Sequence, residues 1–258
     1  PRVGSLFHIR QGVRTGAIKV FVISDTDYGN LPAGEQEYFR PVADTDTIGG
    51  GQLNPVEYIF YPYDADGMVI HDEESLREAL PWFYRTRLSP NRSLLMGRSG
   101  ISDKPWWGLT RERVWQRTPT PKIVSKGAGL AGAFAYDEAG TAVVVTGSAW
   151  LWKGTESCSR CEFSDSPLHW AYLALLNSRY FEKLLSAFCS QLKGGQYDLS
   201  KRFVDDVFLP DLSRIPVCET PEFEQLIAIG QRIHSKGLTV DELDALDPTV
   251  QTAYTDLC

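Results

Sequence analysis

Cationic side chains interleave with aromatic ones in one stretch of the sequence, from Trp82 to Arg117. Arginine can clamp a phosphate or read a guanine edge with two parallel hydrogen bonds, and an exposed aromatic ring can stack on a base. Residues 77–126 contain eleven Lys or Arg against three acids, although the whole chain has a formal net charge of -7. Because the local field rather than the net charge steers a polyanion, this stretch indicates a surface for nucleic acid. Aromatic residues also fill protein cores, and we expect at least half of these rings to be buried.

Two further segments combine positive charge with glycine. Gly12-Val13-Arg14-Thr15-Gly16 lies within the first 23 residues, which hold four cations and no acid, and a Gly-Gly pair lies within residues 193–201. Glycine lets a backbone approach a phosphate closely. We therefore predict that DNA is bound by these two segments together with the basic stretch. The predicted DNA-binding residues are Arg14, Thr15, Gly16, Arg92, Arg98, Lys104, Trp106, Trp107, Arg111, Lys126, Lys193, Gln196, Tyr197 and Lys201.

The cations in this set are expected to play different roles. Lys104 and Lys201 are expected to meet phosphates, so losing either should weaken binding to every DNA sequence. Arg14, Arg92 or Arg98 is the expected reader of a base edge, where a bidentate contact gives sequence preference.

Two short motifs resemble cofactor or metal sites, but the residues around them do not fit such sites. The segment Gly127-Ala128-Gly129-Leu130-Ala131-Gly132 has the spacing of a dinucleotide fingerprint, but that motif needs a helix to begin there. The residues that follow have a strand pattern, so we interpret the segment as a glycine-rich loop. Cys158 and Cys161 supply half of a tetrahedral zinc site without a second Cys or His pair at finger spacing. We therefore predict no catalytic residue, no metal and no cofactor in this chain.

Runs of β-branched and aromatic residues predict several strands. They lie at residues 20–23, 58–61, 122–125, 133–136 and 142–146. The last two flank a short polar connection that contains glycine, so we expect them to pair as a hairpin.

Two helices are predicted from caps and apolar spacing. Residues 167–188 carry apolar side chains at three- and four-residue steps, and Leu173, Leu176 and Leu184 are expected to be buried. A second helix is expected over residues 221–236, with a threonine cap before it and a glycine after it. The predicted fold class is α+β, with a mixed or antiparallel sheet region containing hairpins, a long central helix near residues 167–188 and a helical C-terminal end.

The composition indicates where in the cell the protein is expected. The chain has 258 residues, of which 43% are hydrophobic, and it contains no apolar run long enough to span a membrane. Its five cysteines are an odd number spread over a large chain, which suits reduced thiols. We expect a cytoplasmic protein.

The order of several short motifs resembles the target-recognition (specificity) domain of TaqI-like and related type IIG adenine-N6 DNA methyltransferases. The resemblance covers residues 3–235, and the shared order of the motifs carries it. In chain order the motifs are Gly12-Val13-Arg14-Thr15-Gly16 with the strand at Phe21-Val22-Ile23, Phe39-Arg40-Pro41-Val42, Tyr58-Ile59-Phe60-Tyr61-Pro62, Thr120-Pro121-Lys122-Ile123, Leu173-Ala174-Leu175-Leu176-Asn177-Ser178-Arg179, Gly194-Gly195-Gln196-Tyr197 and Val207-Phe208-Leu209-Pro210.

The resemblance implies that the chain binds double-stranded DNA for an attached N-terminal methyltransferase domain. That domain would methylate adenine and bind S-adenosylmethionine, so neither activity is expected in this chain. Asn54-Pro55-Val56-Glu57 keeps only the first two letters of the family's Asn-Pro-Pro-aromatic tetrapeptide and lacks the ring that stacks on a flipped base. We expect residues 1–212 to form the DNA target-recognition domain of a bacterial restriction-modification protein, with residues 213–258 as a helical segment packed on it.

Two other hypotheses remain open on the sequence. The first is a docking or scaffold domain of a bacterial defence system that makes no direct base readout, and the second is a free-standing enzyme. The salt dependence of binding distinguishes a docking domain from a DNA-binding domain, because phosphate contacts make log affinity fall linearly with log salt concentration. The tail from residue 205 holds eleven acids against three Lys or Arg, and must face solvent or another domain in either case.

Overall fold

The computed structural model describes residues 1–154, 166–213, 220–239, 242, 248–252 and 254–255. The strands are β1 (Phe7–Gln11), β2 (Val22–Ser24), β3 (Phe39–Ala43), β4 (Ile48–Gly49), β5 (Gln52–Leu53), β6 (Glu57–Phe60), β7 (Lys122–Ser125), β8 (Ala128–Gly129), β9 (Phe134–Asp137), β10 (Val143–Val144), β11 (Ser148–Trp152) and β12 (Tyr197–Asp198). The α-helices are α1 (Val3–Leu6), α2 (Ile18–Phe21), α3 (Asp25–Gly29), α4 (Ala33–Gln36), α5 (Glu73–Ala79), α6 (Pro81–Phe83), α7 (Arg92–Met96), α8 (Ser166–Leu176), α9 (Arg179–Phe188), α10 (Lys201–Val204) and α11 (Pro221–Lys236). The chain also contains a π-helical turn (Tyr84–Leu88) and two 3-10 turns (Ser89–Asn91 and Val114–Gln116), and residues 248–252 are helical.

One sheet consists of four antiparallel strands in the order β1-β11-β7-β9. Helices α8, α9 and α11 contribute to the same core as this sheet, in which Phe134, Trp150 and Tyr172 are fully buried. We call this sheet and these helices the helical lobe. Its strand β1 lies at the edge of the sheet, and no other strand of the described residues pairs with its outer side.

A second sheet has the order β10-β3-β6-β2, with β10 parallel to β3 and the other pairs antiparallel. Its core is rich in rings: the centroids of Phe39 and Phe83 lie 4.9 Å apart, and those of Phe60 and Phe83 lie 5.1 Å apart. We call this sheet and the helices and turns of residues 18–117 the aromatic lobe. The fold class is α+β with antiparallel and mixed sheets and a helical C-terminal region, as predicted.

The chain crosses between the lobes. Strand β1 belongs to the helical lobe, the aromatic lobe follows, and β7 returns to the first sheet before β10 crosses over again. Small buried side chains, among them Ala43, Ala135 and Ala149, pack where the two sheets meet. Arg40 spans the junction by donating to the carbonyl oxygens of Thr141 (2.7 Å) and Gln116 (2.5 Å).

The predicted hairpin between residues 133–136 and 142–146 is wrong. Strand β9 pairs with β7, and β10 pairs in parallel with β3 of the other sheet. The connection between β9 and β10 is held against β7, because the Asp137 carboxylate accepts hydrogen bonds from Lys122 Nζ (2.6 Å) and from the Ala142 N–H (3.0 Å). Val143 and Val144 are fully buried in the junction, so crossing over removes both from water.

The strand predicted at residues 20–23 is displaced. Residues 18–21 form the helical turn α2, and the strand begins at Val22. Thr15 stabilises the start of this turn, because its hydroxyl oxygen accepts a hydrogen bond from the Ala17 N–H at 3.1 Å. Phe21 is then buried against Phe60, with the ring centroids 6.3 Å apart. Tertiary packing therefore overrides the β-propensity of this run.

The long helix predicted over residues 167–188 is two helices, α8 and α9, broken at Asn177 and Ser178. The buried Asn177 amide exchanges hydrogen bonds of 3.1 Å with both the N–H and the carbonyl of Phe134 on β9. Ser178 caps α9, because its hydroxyl accepts from the Phe181 N–H at 3.1 Å. The break turns the apolar face, so Leu185 is buried on α9.

The expected burial on these helices holds in part. Leu173 and Leu176 are buried, as predicted, whereas Leu184 is only partly buried. The prediction for Leu184 assumed one continuous helix, and the break at residues 177–178 shifts the buried position by one residue to Leu185.

The helix predicted at residues 221–236 is confirmed as α11. Thr220 caps it by accepting from the Phe223 N–H at 3.3 Å, and Gly237 ends it. Gly230 lets α11 cross α8 closely: a Cβ atom at this position would lie 1.9 Å from the Trp170 carbonyl oxygen. The proposed division of the chain at residue 212 stays a prediction.

Candidate nucleic-acid interface

A cleft of about 260 Å³ opens where the 12–16 loop meets the turn before β11. It is lined by Gln11, Gly12, Val13, Arg14, Arg113, Gly127, Val145, Thr146, Gly147, Ser148 and Ser200. Two of these residues are cationic and none is acidic. A cleft with this lining suits an anion.

Arg14 is fixed at the mouth of the cleft by the basic stretch. Its N–H donates to the Arg111 carbonyl (2.9 Å), and the Arg111 N–H donates back to the Arg14 carbonyl (3.0 Å). Thr110 Oγ1 also donates to the Arg14 carbonyl (2.9 Å), and Lys104 Nζ donates to the Thr110 carbonyl (3.1 Å). The structure thus brings together two segments that are about a hundred residues apart in the sequence, and both arginine side chains remain exposed.

Arg113 completes this group. Its Nε donates to the Gly12 carbonyl at 2.8 Å. Burial lowers the pKa of Arg113, and the positive charges of Arg111 and Arg14 lower it further, so the three guanidinium groups lie within electrostatic reach of one another. We call Arg14, Arg111 and Arg113 the arginine cluster.

The arginine cluster has no carboxylate partner within the described part of the chain. The neighbouring acid, Glu112, is instead held by Arg117, with an Nη2–Oε1 distance of 2.5 Å. Placing like charges together without a counter-charge is unfavourable. A bound anion would remove that cost.

The turn that forms one wall of the cleft requires glycine. Gly147 has a φ of 114°, a backbone conformation that residues with side chains rarely adopt. A Cβ atom there would lie 2.1 Å from the Ser125 carbonyl oxygen. The cleft wall is therefore backbone in close contact with β7.

A second cleft adjoins the first, because Gln11 and Ser200 line both. The remaining lining residues are charged: Asp198, Lys201, Arg202 and Asp205. Lys201, expected to meet a phosphate, forms an ion pair with Asp205, and Arg202 lies 3.4 Å from Asp198. Lys201 must therefore exchange or share its partner to bind DNA.

The outward face of β1 extends the positive surface away from the arginine cluster. His8 and Arg10 are exposed on this edge strand. Burial lowers the pKa of His8, followed by the positive charges of Lys153, Arg10 and Lys201. We call His8, Arg10, Lys153 and Lys201 the β1 patch, because their charges act on one another. Gln11, the next residue after Arg10, lines the cleft and so connects the β1 patch to it.

Arg98 was expected to read a base edge, and the structure assigns it a different role. The residue is only 9% exposed, and its guanidinium donates to the carbonyls of Leu95 (2.9 Å), Trp106 (2.6 Å) and Gly108 (2.9 Å) and to that of Thr15. It also lies 4.8 Å from the Phe21 ring centroid. Four of its five N–H donors are used inside the protein, so Arg98 positions the 12–16 loop and is not available to read a base edge.

Thr15 and Gly16 belong to this buried arrangement as much as to the surface. Thr15 is buried, and its hydroxyl supports α2. Gly16 is exposed, and a Cβ atom there would lie 2.6 Å from Thr110 Cγ2. Their part in the site is to fix the conformation of the loop that carries Arg14.

Arg92, Trp106 and Trp107 lie away from the cleft, around Glu73 or in the aromatic core. Arg92 Nη1 lies 2.5 Å from Glu73 Oε1, and its guanidinium lies 5.0 Å from the Trp106 ring. Hydrogen bonds from Tyr84 first, and then from Arg92, Arg77 and Trp106, lower the pKa of Glu73 to about 2. Both tryptophans are buried, so in this structure neither ring of these two predicted DNA-binding residues is available to stack on a base.

Half of the aromatic rings between Trp82 and Arg117 are buried, which agrees with the expectation of at least half. Phe83, Trp106 and Trp107 are buried, whereas the other three rings, those of Trp82, Tyr84 and Trp115, are partly exposed. The basic stretch therefore covers the aromatic core, and its C-terminal part brings Arg111 and Arg113 beside the cleft.

The remaining predicted residues flank the cleft or lie apart from it. Lys126 is partly buried next to the cleft-lining Gly127, in a loop that leads into β9 rather than into a helix, as predicted. Tyr197 pairs with Gly129 through β12 and β8. Lys193 and Gln196 are exposed on the turn before β12 and line neither cleft described above.

Four residues of this surface are missing from the predicted DNA-binding residues: His8, Arg10, Arg113 and Lys153. Of these, Arg113 lies in the basic stretch that was predicted to bind DNA. The signal for His8 and Arg10 is the alternation along residues 7–10, which places both on the outer face of one strand. Lys153 follows β11, and its proximity depends on the pairing of β11 with β1, which the local sequence does not reveal.

Cys158 and Cys161 lie outside the described residues. Within the described ranges, no group of three or more His, Cys, Asp or Glu is placed to hold a metal ion. None of the described helices has the length and apolar character needed to cross a membrane.

No protein-family model and no curated protein matches the sequence. Among solved structures, the chain is similar in fold to part of the type IIL restriction-modification enzyme MmeI, whose structure was determined in complex with DNA. The superposition has a TM-score of 0.63 at 12% sequence identity and covers 99% of this chain. It covers 33% of the MmeI chain, so this chain spans about one third of the length of that protein. The two proteins share a fold over nearly all of the chain described here.

Proposed function

We propose that this chain is a DNA target-recognition domain of a restriction-modification protein. The observation that carries the proposal is the arginine cluster. Arg14 and Arg113 line a cleft whose lining residues include no acid, Arg111 pairs with Arg14, and none of the three has a carboxylate partner among the described residues. The fold shared with a restriction-modification enzyme that was solved with DNA supports the same function.

Duplex DNA is the anion that fits this surface best. The positive charge is not confined to one pocket, because the cleft leads through Gln11 to the β1 patch. An extended polyanion can neutralise both groups at once, and each phosphate contact releases counterions from the DNA. We assign the arginine cluster to phosphates and base edges at the centre of the interface, and the β1 patch to the flanking backbone.

Catalysis is proposed to reside elsewhere in the parent protein. The likeness to about one third of a restriction-modification enzyme leaves room for an N-terminal methyltransferase domain that binds S-adenosylmethionine and methylates adenine. This chain would supply target recognition and no catalytic group.

The test is a titration of duplex DNA with the wild-type chain and with Arg111→Ala and Arg113→Ala variants at several salt concentrations. Each variant should bind all duplexes more weakly and should lower the slope of log affinity against log salt by about one. Arg85→Ala is the matched control, because Arg85 is exposed and lines neither cleft described above.

The docking-domain hypothesis predicts a different result from the same titration. An apolar docking surface would give no measurable DNA affinity, or an affinity that the arginine variants leave unchanged. That outcome would replace the present proposal.

A further inference from the structure

A short turn beside the arginine cluster presents an apolar side chain to solvent. Val114 begins the 3-10 turn Val114–Gln116 and follows the cleft-lining Arg113. It is 69% exposed, the highest value among the described residues with large exposed apolar side chains. Isolated exposed apolar residues are common on protein surfaces, so exposure alone gives Val114 no role.

The turn beneath Val114 is held rigidly from inside the protein. The side chain of the buried Gln116 accepts from the Val144 N–H (2.6 Å) and donates to the Val144 carbonyl (3.3 Å), and Arg40 donates to the Gln116 carbonyl (2.5 Å). Trp115 packs on the small residues at the junction of the two sheets. The two residues that follow Val114 are thus anchored in the junction, and Val114 is the one left pointing outward.

The side chain itself adds to this rigidity. A β-branched residue has few accessible χ1 rotamers, so its two methyl groups occupy defined positions. Arg111 and Arg113 lie on the same short segment, and Glu112 between them is neutralised by Arg117. The segment therefore presents a fixed apolar group immediately after two cations.

We propose that Val114 is a specificity-determining residue that contacts the 5-methyl group of a thymine in the major groove. This inference rests on the proposed function, since it requires that Arg111 and Arg113 hold the DNA. A thymine methyl group is the apolar feature that distinguishes base pairs in the major groove, and small apolar side chains recognise it. Side chains that wedge between base pairs in the minor groove are larger, typically Phe, Leu, Ile or Met.

The experiment removes the 5-methyl group of the base and, separately, the two γ-methyl groups of Val114. A preferred duplex is first selected from a randomised library with the wild-type chain, and each thymine in it is then replaced singly by deoxyuridine, which lacks only the 5-methyl group. At one position the replacement should weaken wild-type binding by about fourfold, the effect of exposing one buried methyl group. Val114→Ala should bind the thymine duplex about as weakly as wild type binds the uracil duplex, and should not respond to the replacement.

Val56→Ala is the matched control. Val56 is 55% exposed, and it precedes Glu57, whose pKa is raised by burial first and then by Asp44 and Asp46, so its surroundings are acidic. This variant should keep the wild-type response to uracil.

Three results separate the two proposals. If wild type binds DNA with a steep salt slope but no uracil replacement affects it, or if Val114→Ala keeps the full response, the role of Val114 is refuted and the DNA-binding function stands. If the wild-type chain has no salt-dependent affinity for any duplex, both proposals fail. Unchanged thermal unfolding of Val114→Ala is expected, because the residue is exposed.

Discussion

Replacing Arg98 should lower the stability of the protein and leave its DNA sequence preference unchanged. The sequence had instead predicted that Arg98 reads a base edge, so this variant distinguishes the two roles. The buried guanidinium donates to four carbonyl oxygens on three segments and packs on the Phe21 ring. Leaving a buried acceptor without a donor costs about 1–3 kcal/mol, and the lost cation–π contact adds about 1 kcal/mol. Removing a buried charge relieves some desolvation, and so we expect Arg98→Ala to lower the free energy of unfolding by about 3–5 kcal/mol.

The assay is urea denaturation of wild type, Arg98→Ala and Arg98→Lys, followed by DNA titration under conditions where each is folded. Lysine keeps the charge but has one donor centre, so Arg98→Lys should be intermediate in stability. Arg85→Ala should stay within about 0.5 kcal/mol of wild type. A stability within about 1 kcal/mol of wild type for Arg98→Ala, together with lost preference at one base pair, would refute the structural role and restore Arg98 as a base reader.

Three further predictions concern the helices and the β1 patch. Gly230→Ala should destabilise the protein by about 1–3 kcal/mol in denaturation, because its Cβ would lie 1.9 Å from the Trp170 carbonyl oxygen; a gain in stability would contradict the close crossing of α8 and α11. Leu185→Ala should cost about 2–5 kcal/mol and Leu184→Ala less than half as much, and the reverse order would mean that one continuous helix is the better description. Burial and neighbouring cations lower the pKa of free His8, and a bound phosphate would raise it, so DNA affinity should increase as the pH falls through the pKa that His8 has in the complex. His8→Gln should lose this dependence in titrations at pH 5.5 to 7.5, and an equal dependence in both proteins would remove His8 from the interface.

The parts of the fold that could be predicted are those set by local chemistry. Thr220, Pro221 and Gly237 cap and end α11 through contacts within one turn, and the sequence shows them directly. The break at Asn177 is not local: it depends on hydrogen bonds to Phe134, more than forty residues away. Helical spacing continues through the break, so periodicity alone predicts one helix.

The same distinction applies to the candidate site. Arg14 was predicted because charge and glycine coincide in the 12–16 loop. Lys153 was not, and Arg113 was covered only as part of the basic stretch, because each reaches the site through contacts between distant segments. Trp106 was misjudged since its burial depends on the network around Glu73, whose members are up to 33 residues away in the sequence. Composition locates the basic stretch, and tertiary contacts decide which of its side chains remain free.

The central claim is tested most directly by the salt dependence of duplex DNA binding in the Arg111→Ala/Arg113→Ala double variant. If the arginine cluster holds phosphates, the slope of log affinity against log salt should fall by about two relative to wild type, with weaker binding to every duplex. The Arg85→Ala control should keep the wild-type slope. A double variant with the wild-type slope and affinity would contradict the account.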